Sequence, residues 1–283
     1  MQQLRWLFKV SRPRFWAYLF GPFLIGIAAF GRQDVMQHTA LLASMALYFT
    51  FPANLLVYGI NDIHDYETDK QNPKKKHYEA LVKPSDHQLL YSAMALSNLP
   101  FITMFMILPS APFAAKASLV LFMFFGLGYS MPPIRAKVRP FVDTLFNSLY
   151  VFPALVSYGI LADAWPPLAL FIAATAWCMA MHAYSAIPDI SSDKKARIRT
   201  VATVLGAQGT LVFCSVCYVV AGVFSYNWLG VFGLLIMALY IGIMLHTARK
   251  GAGRVFALYK LFPKINLAVG FMLFWYIVLL LGA

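Results

Sequence analysis

The chain is built from uncharged runs, each long enough to cross a lipid bilayer, and this constrains its fold more than any motif. A spanning helix needs about twenty mostly apolar residues. Nine segments qualify: 14–31, 39–60, 88–108, 113–131, 141–162, 167–187, 209–226, 228–247 and 264–282. The runs are apolar throughout rather than alternating, so helices fit and barrel strands do not. Composition agrees, because only 12% of residues are charged against about 25% in soluble proteins. The expectation is all-α: a polytopic membrane protein, a bundle of nine transmembrane helices. Residues 1–283 are expected to form one integral membrane domain. Cys178, Cys214 and Cys217 lie inside apolar runs and read as small buried hydrophobes.

Lys and Arg orient the bundle. With nine spans, one side receives the N-terminus and the loops 61–88, 132–140, 188–208 and 248–263, with Lys264 at the edge of the last. All of the 23 Lys and Arg except Arg32 and Lys116 fall on that side. The positive-inside rule makes it cytoplasmic and puts the C-terminus outside. The net charge of +12 is then mainly a topology signal. It calls for no nucleic acid, and no aromatic-basic recognition module is present. No obligatory protein partner is evident.

Acids gather where apolar runs end. Six of the eleven Asp and Glu lie in two short stretches, NDIHDYETD at 61–69 and PDISSD at 188–193. On a continuing helix Asn61, Asp65 and Asp69 recur every four residues, and Asp62 precedes Asp65 by three. These four share a face, while Glu67 points away. Asp189 and Asp193 are likewise four apart. Like charges packed so closely repel, so a cation should offset them. Hard oxygen donors without paired His or Cys suit Mg²⁺. Two such clusters facing each other would hold two or three Mg²⁺ around a diphosphate.

Cations and uncharged polar groups complete the candidate set. YSMPPIRAKVRP at 129–140 ends a span at Pro132 and supplies Arg135 and Lys137. KKARIRT after the second acidic stretch supplies Lys194 and Arg197. Arg12 and Arg14 open the first span, where they reach a diphosphate or anchor to headgroups. Asn54 and His182 lie within spans 2 and 6, and polar groups inside a membrane are functional candidates by default. Asn147 and Asp143 begin span 5, as substrate contacts or caps.

NDxxDxxxD after span 2, YSxPPxRxK after span 4 and DxxxD after span 6 resemble the UbiA superfamily of intramembrane prenyltransferases, and the resemblance covers the whole chain. It implies a helical bundle around a central cavity with a cytoplasmic cap, and a membrane-embedded transferase using a prenyl diphosphate donor, a lipophilic acceptor and Mg²⁺. Carried over by position, Asn61, Asp62, Asp65 and Asp69 form the first metal cluster, and Asp189 and Asp193 the second. Lys137 and Tyr129 correspond to the lysine and tyrosine near the diphosphate and the allylic carbon. The chain departs from quinone- and chlorophyll-type members, because NPKKKHYEALVKP stands where those carry an RPxxxG-like stretch. INDIHDYETDKQNPKK, VDTLFNSLYVFPALVSYG and HAYSAIPDISSDKKARIRTVATVLG look more like the lycopene elongases of the carotenoid branch.

The chemistry so implied is departure of diphosphate to leave an allylic cation in a dry cavity, and attack by an electron-rich carbon of the acceptor. Tyr66, Tyr129 and Tyr150 are candidate aromatic faces for the cation. An aromatic quinone precursor and a glycerol-phosphate lipid are the alternative acceptors. A transporter is the rival from another class. It would place ionisable groups near the bilayer midplane, whereas these acids cluster at span ends.

Overall fold

The computed structural model describes residues 2–31, 35–70, 80–250 and 252–281, and it is helical with no strand among them. The helices are α1 (Gln2–Val10), α2 (Ala17–Phe30), α3 (Thr39–Tyr48), α4 (Phe51–His64), α5 (Tyr66–Asp69), α6 (His87–Ile107) and α7 (Phe113–Ser130). They continue with α8 (Val142–Phe146), α9 (Phe152–Ala162), α10 (Leu168–Ala186), α11 (Ile190–Lys195), α12 (Val201–Lys250) and α13 (Ala252–Leu281). Among the described residues, six segments are long and apolar enough to cross a membrane: Val35–His64, Pro84–Ile107, Phe113–Ser130, Leu168–Lys195, Val201–Arg249 and Leu261–Leu280. Two further candidates are bent pairs, Gln2–Phe15 with Ala17–Phe30 and Val142–Tyr150 with Phe152–Ala162. Because helices satisfy their own backbone groups, these runs can be apolar all round.

Contacts divide the chain into two compact units. One holds residues 1–134, 152–165 and 274–283; the other holds 135–151 and 166–273. In the first, α9 packs on α2 and α7, and small residues set how closely. A Cβ on Gly26 would lie 2.2 Å from the Ala154 carbonyl oxygen, and one on Gly159 would lie 2.8 Å from the Ala115 nitrogen. Backbones approach this closely only where side chains are absent. Ser157 adds a buried hydrogen bond to the Phe23 carbonyl at 2.7 Å. The same unit buries Leu7 and Val10 of α1 against Leu55, Leu56, Ile60 and Ile63 of α4. The close packing of these side chains fixes α1 beside the acidic end of α4.

In the second unit α10 packs along α12. At 50 residues α12 would be about 75 Å long if straight. It is instead a hairpin. Gly230 sits at φ +51°, and residues symmetric about it touch: the Tyr218 and Tyr240 rings stack with centroids 4.6 Å apart. A Cβ on Gly222 would meet the Met237 Cβ at 2.8 Å. The expected boundary between 226 and 228 is therefore displaced to Gly230, where a residue without Cβ adopts the left-handed turn without strain. Cys178, Cys214 and Cys217 are free and buried, as their apolar setting predicts.

Candidate active site

The first acidic stretch does not continue as one helix. α4 ends with Asp65 at φ −106° and ψ 3°, and α5 starts at the next residue. The hydrogen-bond ladder resumes at once, with Asp69 N–H donating to the Asp65 carbonyl at 2.8 Å and Lys70 N–H to Tyr66 at 3.0 Å. The shared face therefore survives the break where it can be measured, because the Asn61 amide donates to Asp65 Oδ2 at 2.8 Å. Glu67 is exposed and pairs with Lys70, as expected of the acid that points away.

Asp62 is the buried member, 2% exposed. Its charge is met by Arg12, whose Nη2 lies 2.6 Å from Asp62 Oδ1. Three local features deliver that arginine. α1 is packed on α4; Arg12 adopts φ +51° in the turn after α1; and Pro13 begins the next short helix. The segment Gln2–Phe15, which contains this turn, is bent by 56° from Ala17–Phe30. Trp16 Nε1 donates to the Ser11 carbonyl at 3.1 Å, and the Arg12 guanidinium lies 4.7 Å from the Tyr58 ring centroid. Of the two arginines that open span 1, then, Arg12 reaches the motif, whereas Arg14 is exposed and lies over Phe15. The SRPRF stretch held that signal in its proline, but the sequence alone does not say which arginine the turn aims inward.

Asn54 and Tyr129 are further candidates of this unit. Asn54 is fully buried and donates to the carbonyls of Phe49 and Thr50, at 3.1 and 2.5 Å, across the break between α3 and α4. Its Oδ1 has no partner among the described residues. Tyr129 is half-buried near the end of α7, ahead of the cis Pro132–Pro133 bond.

In the second unit Asp189 closes a short helical turn after α10, and Asp193 lies within α11; both are half-buried. The Asp189 carbonyl accepts from Ser192 Oγ at 2.8 Å, and the Asp193 carbonyl accepts from Ile198 N–H at 2.8 Å. Lys194 and Arg197 are exposed, Arg197 at φ +55°. Lys137 is 8% exposed in a turn that follows exposed Arg135, and Asn147 is also buried. His182 is half-buried on α10. Asp143 does not cap its own helix: its Oδ2 accepts the Val201 N–H at 2.9 Å, capping α12.

No group of three or more His, Cys, Asp or Glu able to hold a metal forms among the described residues. Magnesium that arrives with phosphate needs only one or two carboxylates. Asp62 and Asp65 with Asn61, and Asp189 with Asp193, supply donors of that hard type, so the donor chemistry fits.

The sequence model of the UbiA prenyltransferase family matches residues 16–262. The chain belongs to the UbiA prenyltransferase family. It is an integral membrane prenyltransferase. A lycopene elongase/hydratase of Haloarcula japonica is 36% identical over 271 residues, covering 94% of this chain and 89% of that protein. The protein of the same description from Halobacterium salinarum is 37% identical and is covered to 94%, as is this chain. Among solved structures, the apo UbiA homolog of Aeropyrum pernix superposes with a TM-score of 0.70 at 15% identity, covering 95% of this chain and 98% of that one. The UbiA homolog of Archaeoglobus fulgidus bound to GPP and Mg²⁺ gives 0.63 at 18% identity, covering 95% and 99%. These likenesses establish the UbiA fold.

Proposed function

We propose that this UbiA-family enzyme transfers prenyl groups from a prenyl diphosphate to a carotenoid of the lycopene type, with Mg²⁺. The similarity to lycopene elongase/hydratases along 94% of the chain is the observation that carries the acceptor. The magnesium-bound UbiA homolog supports the metal and the donor class. The family match runs from residue 16 to 262 through both compact units, which supports one catalytic domain. We further propose nine crossings, counting the hairpin of α12 as two and each bent pair as one, with a cytoplasmic N-terminus and a site on the cytoplasmic side.

Asn61, Asp62, Asp65 and Asp69, with Asp189 and Asp193, would hold Mg²⁺, whose charge stabilises diphosphate as a leaving group. Lys137 would contribute a positive charge to the same anion. Its burial raises the strength of that interaction, because little water screens it. Arg135, Lys194 and Arg197, exposed on turns, would add weaker attraction. Tyr129 would offer a ring face to the allylic cation. Asn147 and His182 would line the acceptor's path. The allylic carbon–oxygen bond breaks first, its electron pair leaving with diphosphate, and the electron pair of the acceptor's terminal alkene then forms the new carbon–carbon bond to the allylic cation. The cation left on the acceptor then loses a proton or takes up water.

Expression in lycopene-producing cells tests the acceptor. The expected product is a carotenoid longer by one or two five-carbon units, with or without added water. An unchanged pigment profile in cells that contain the protein and dimethylallyl diphosphate would overturn the acceptor. Membranes incubated with labelled donors and an aromatic or glycerol-phosphate acceptor would then show which alternative holds. EDTA is expected to stop transfer and Mg²⁺ to restore it.

A further inference from the structure

We propose that the start of α12 binds one anionic phospholipid, with its phosphodiester among Lys194, Arg197 and Arg199 and an acyl chain laid along the α12 hairpin. This site stands apart from the metal and acceptor reading above. Lys194, Arg197 and Arg199 line a single cavity of about 320 Å³ with Ile198, Thr203 and Val204. The backbone gathers them there. Arg197 takes φ +55° while its N–H donates to the Lys194 carbonyl at 3.2 Å, and Ile198 N–H donates to the Asp193 carbonyl at 2.8 Å. Thr200 and Thr203 then lock this turn into the helix, each N–H donating to the other's Oγ1, at 2.8 and 3.2 Å. Three exposed cations thus share one concavity, and none of them pairs with a carboxylate among the described residues.

Like charges held together call for an anion. Among the described residues no Asp or Glu lines this cavity, so it lacks the oxygen donors that take magnesium in with a diphosphate. A phosphodiester needs cations alone. The position favours a lipid. The spanning segment Val201–Arg249 begins among the cavity's own residues, so the three cations lie at the depth of headgroups, where basic side chains attract anionic lipid. Past a break at Gly206, with φ +66°, an apolar groove of about 360 Å³ runs between the two arms of the hairpin. Gln208, Val212 and Val216 line one wall, and Met244, Leu245 and Ala248 the other. On the first arm the lining continues to Val220, about 18 Å from Gln208 along the helix. That is close to the hydrocarbon depth of one leaflet, half of about 30 Å. Val204 of the cavity and Gln208 of the groove are separated by at most about 14 Å of chain, so one amphiphile reaches both.

The test uses the full chain, stripped of lipid in a non-ionic detergent, with lipid binding measured by native mass spectrometry. Dioleoyl phosphatidylglycerol is expected to bind about fivefold or more tightly than dioleoyl phosphatidylcholine, and Arg199→Gln should cost about fivefold of that affinity, the scale of one cation at a membrane surface. Lys195→Gln removes the same charge from a neighbouring residue that does not line the cavity, and it should cost nothing. Val212→Trp fills the groove. It should weaken dioleoyl phosphatidylglycerol and spare the dihexanoyl form, whose chains are too short to run along it, and it decides the matter if Arg199→Gln does not fold. Equal binding of the two dioleoyl lipids by the wild type would overturn the site. Equal losses in Arg199→Gln and Lys195→Gln would reduce it to general attraction between a basic protein and an anionic lipid, and overturn it as well. No effect of Val212→Trp would remove the groove as the seat of the chain. Displacement of phosphatidylglycerol by inorganic pyrophosphate without added metal would give the cavity to the prenyl donor instead of a lipid.

Discussion

At the end of α4, Asp62 is 2% exposed, is paired with Arg12, and is walled by the packing of α1. At the end of α10, Asp189 and Asp193 are half-buried, and the cations that follow them, Lys194, Lys195, Arg197 and Arg199, are exposed. The two acidic ends look alike as sequence and differ as physics. Charge at the first is desolvated and must be balanced inside the folded chain, so it is part of what holds that unit together. The second is only half-buried, so its charge is less desolvated and removing it should disturb the fold less. One end should couple function to stability, and the other should separate them.

Substitution of the two aspartates tests that contrast most severely. Asp62→Ala should abolish prenyl transfer and also destabilise the protein by about 2–4 kcal/mol, because it breaks a part-buried ion pair. Asp189→Ala should also abolish transfer, yet move stability by no more than about 0.5 kcal/mol. Both are read from thermal unfolding in detergent alongside labelled-donor turnover. Equal loss of stability in the two variants would erase the distinction, and near-normal turnover in either would count against metal ligation.

The second end is braced from behind by the fully buried Asp143, which accepts the Val201 N–H. Asp143→Ala removes that cap and leaves a buried donor without its acceptor, at a cost of about 1–3 kcal/mol. Asp143→Asn retains an acceptor oxygen and should recover most of the loss. If the alanine variant unfolds at the wild-type temperature, the second end is braced by something other than this bond.

The asymmetry was only partly legible in the sequence. Uncharged runs of bilayer length identify helices because lipid allows little else, and the spacing of Asn61 and Asp65 already predicts the contact seen between them. The hairpin was legible nearly in place, since the break expected between 226 and 228 falls just before Gly230; only the choice of the turning residue needed the structure. Arg12 shows the deeper limit. Sequence marks both Arg12 and Arg14 as cations near the membrane surface. The choice between them depends on a left-handed residue, on Pro13 and on how α1 packs against α4. Those are tertiary facts, as is the burial of Lys137 in a turn whose neighbours Arg135 and Arg139 are exposed.

The smallest expected effect lies inside NDIHDYETD itself and sorts its four acids by environment. Glu67 is exposed and occupied with Lys70 on the solvent side. An ion pair of that kind contributes little, because water screens it and two long side chains lose freedom to form it. Asp65 differs by two positions only, but it is half-buried and receives the Asn61 amide on the face it shares with Asp62's neighbourhood. Glu67→Gln should therefore leave the unfolding temperature and turnover where they are, while Asp65→Asn lowers turnover by at least about a hundredfold at unchanged stability. The two substitutions remove the same charge from nearly the same place. If they reduced turnover equally, net negative potential would matter at this end and not the ligating face, and the contrast between a preassembled and a half-buried cluster would lose its basis.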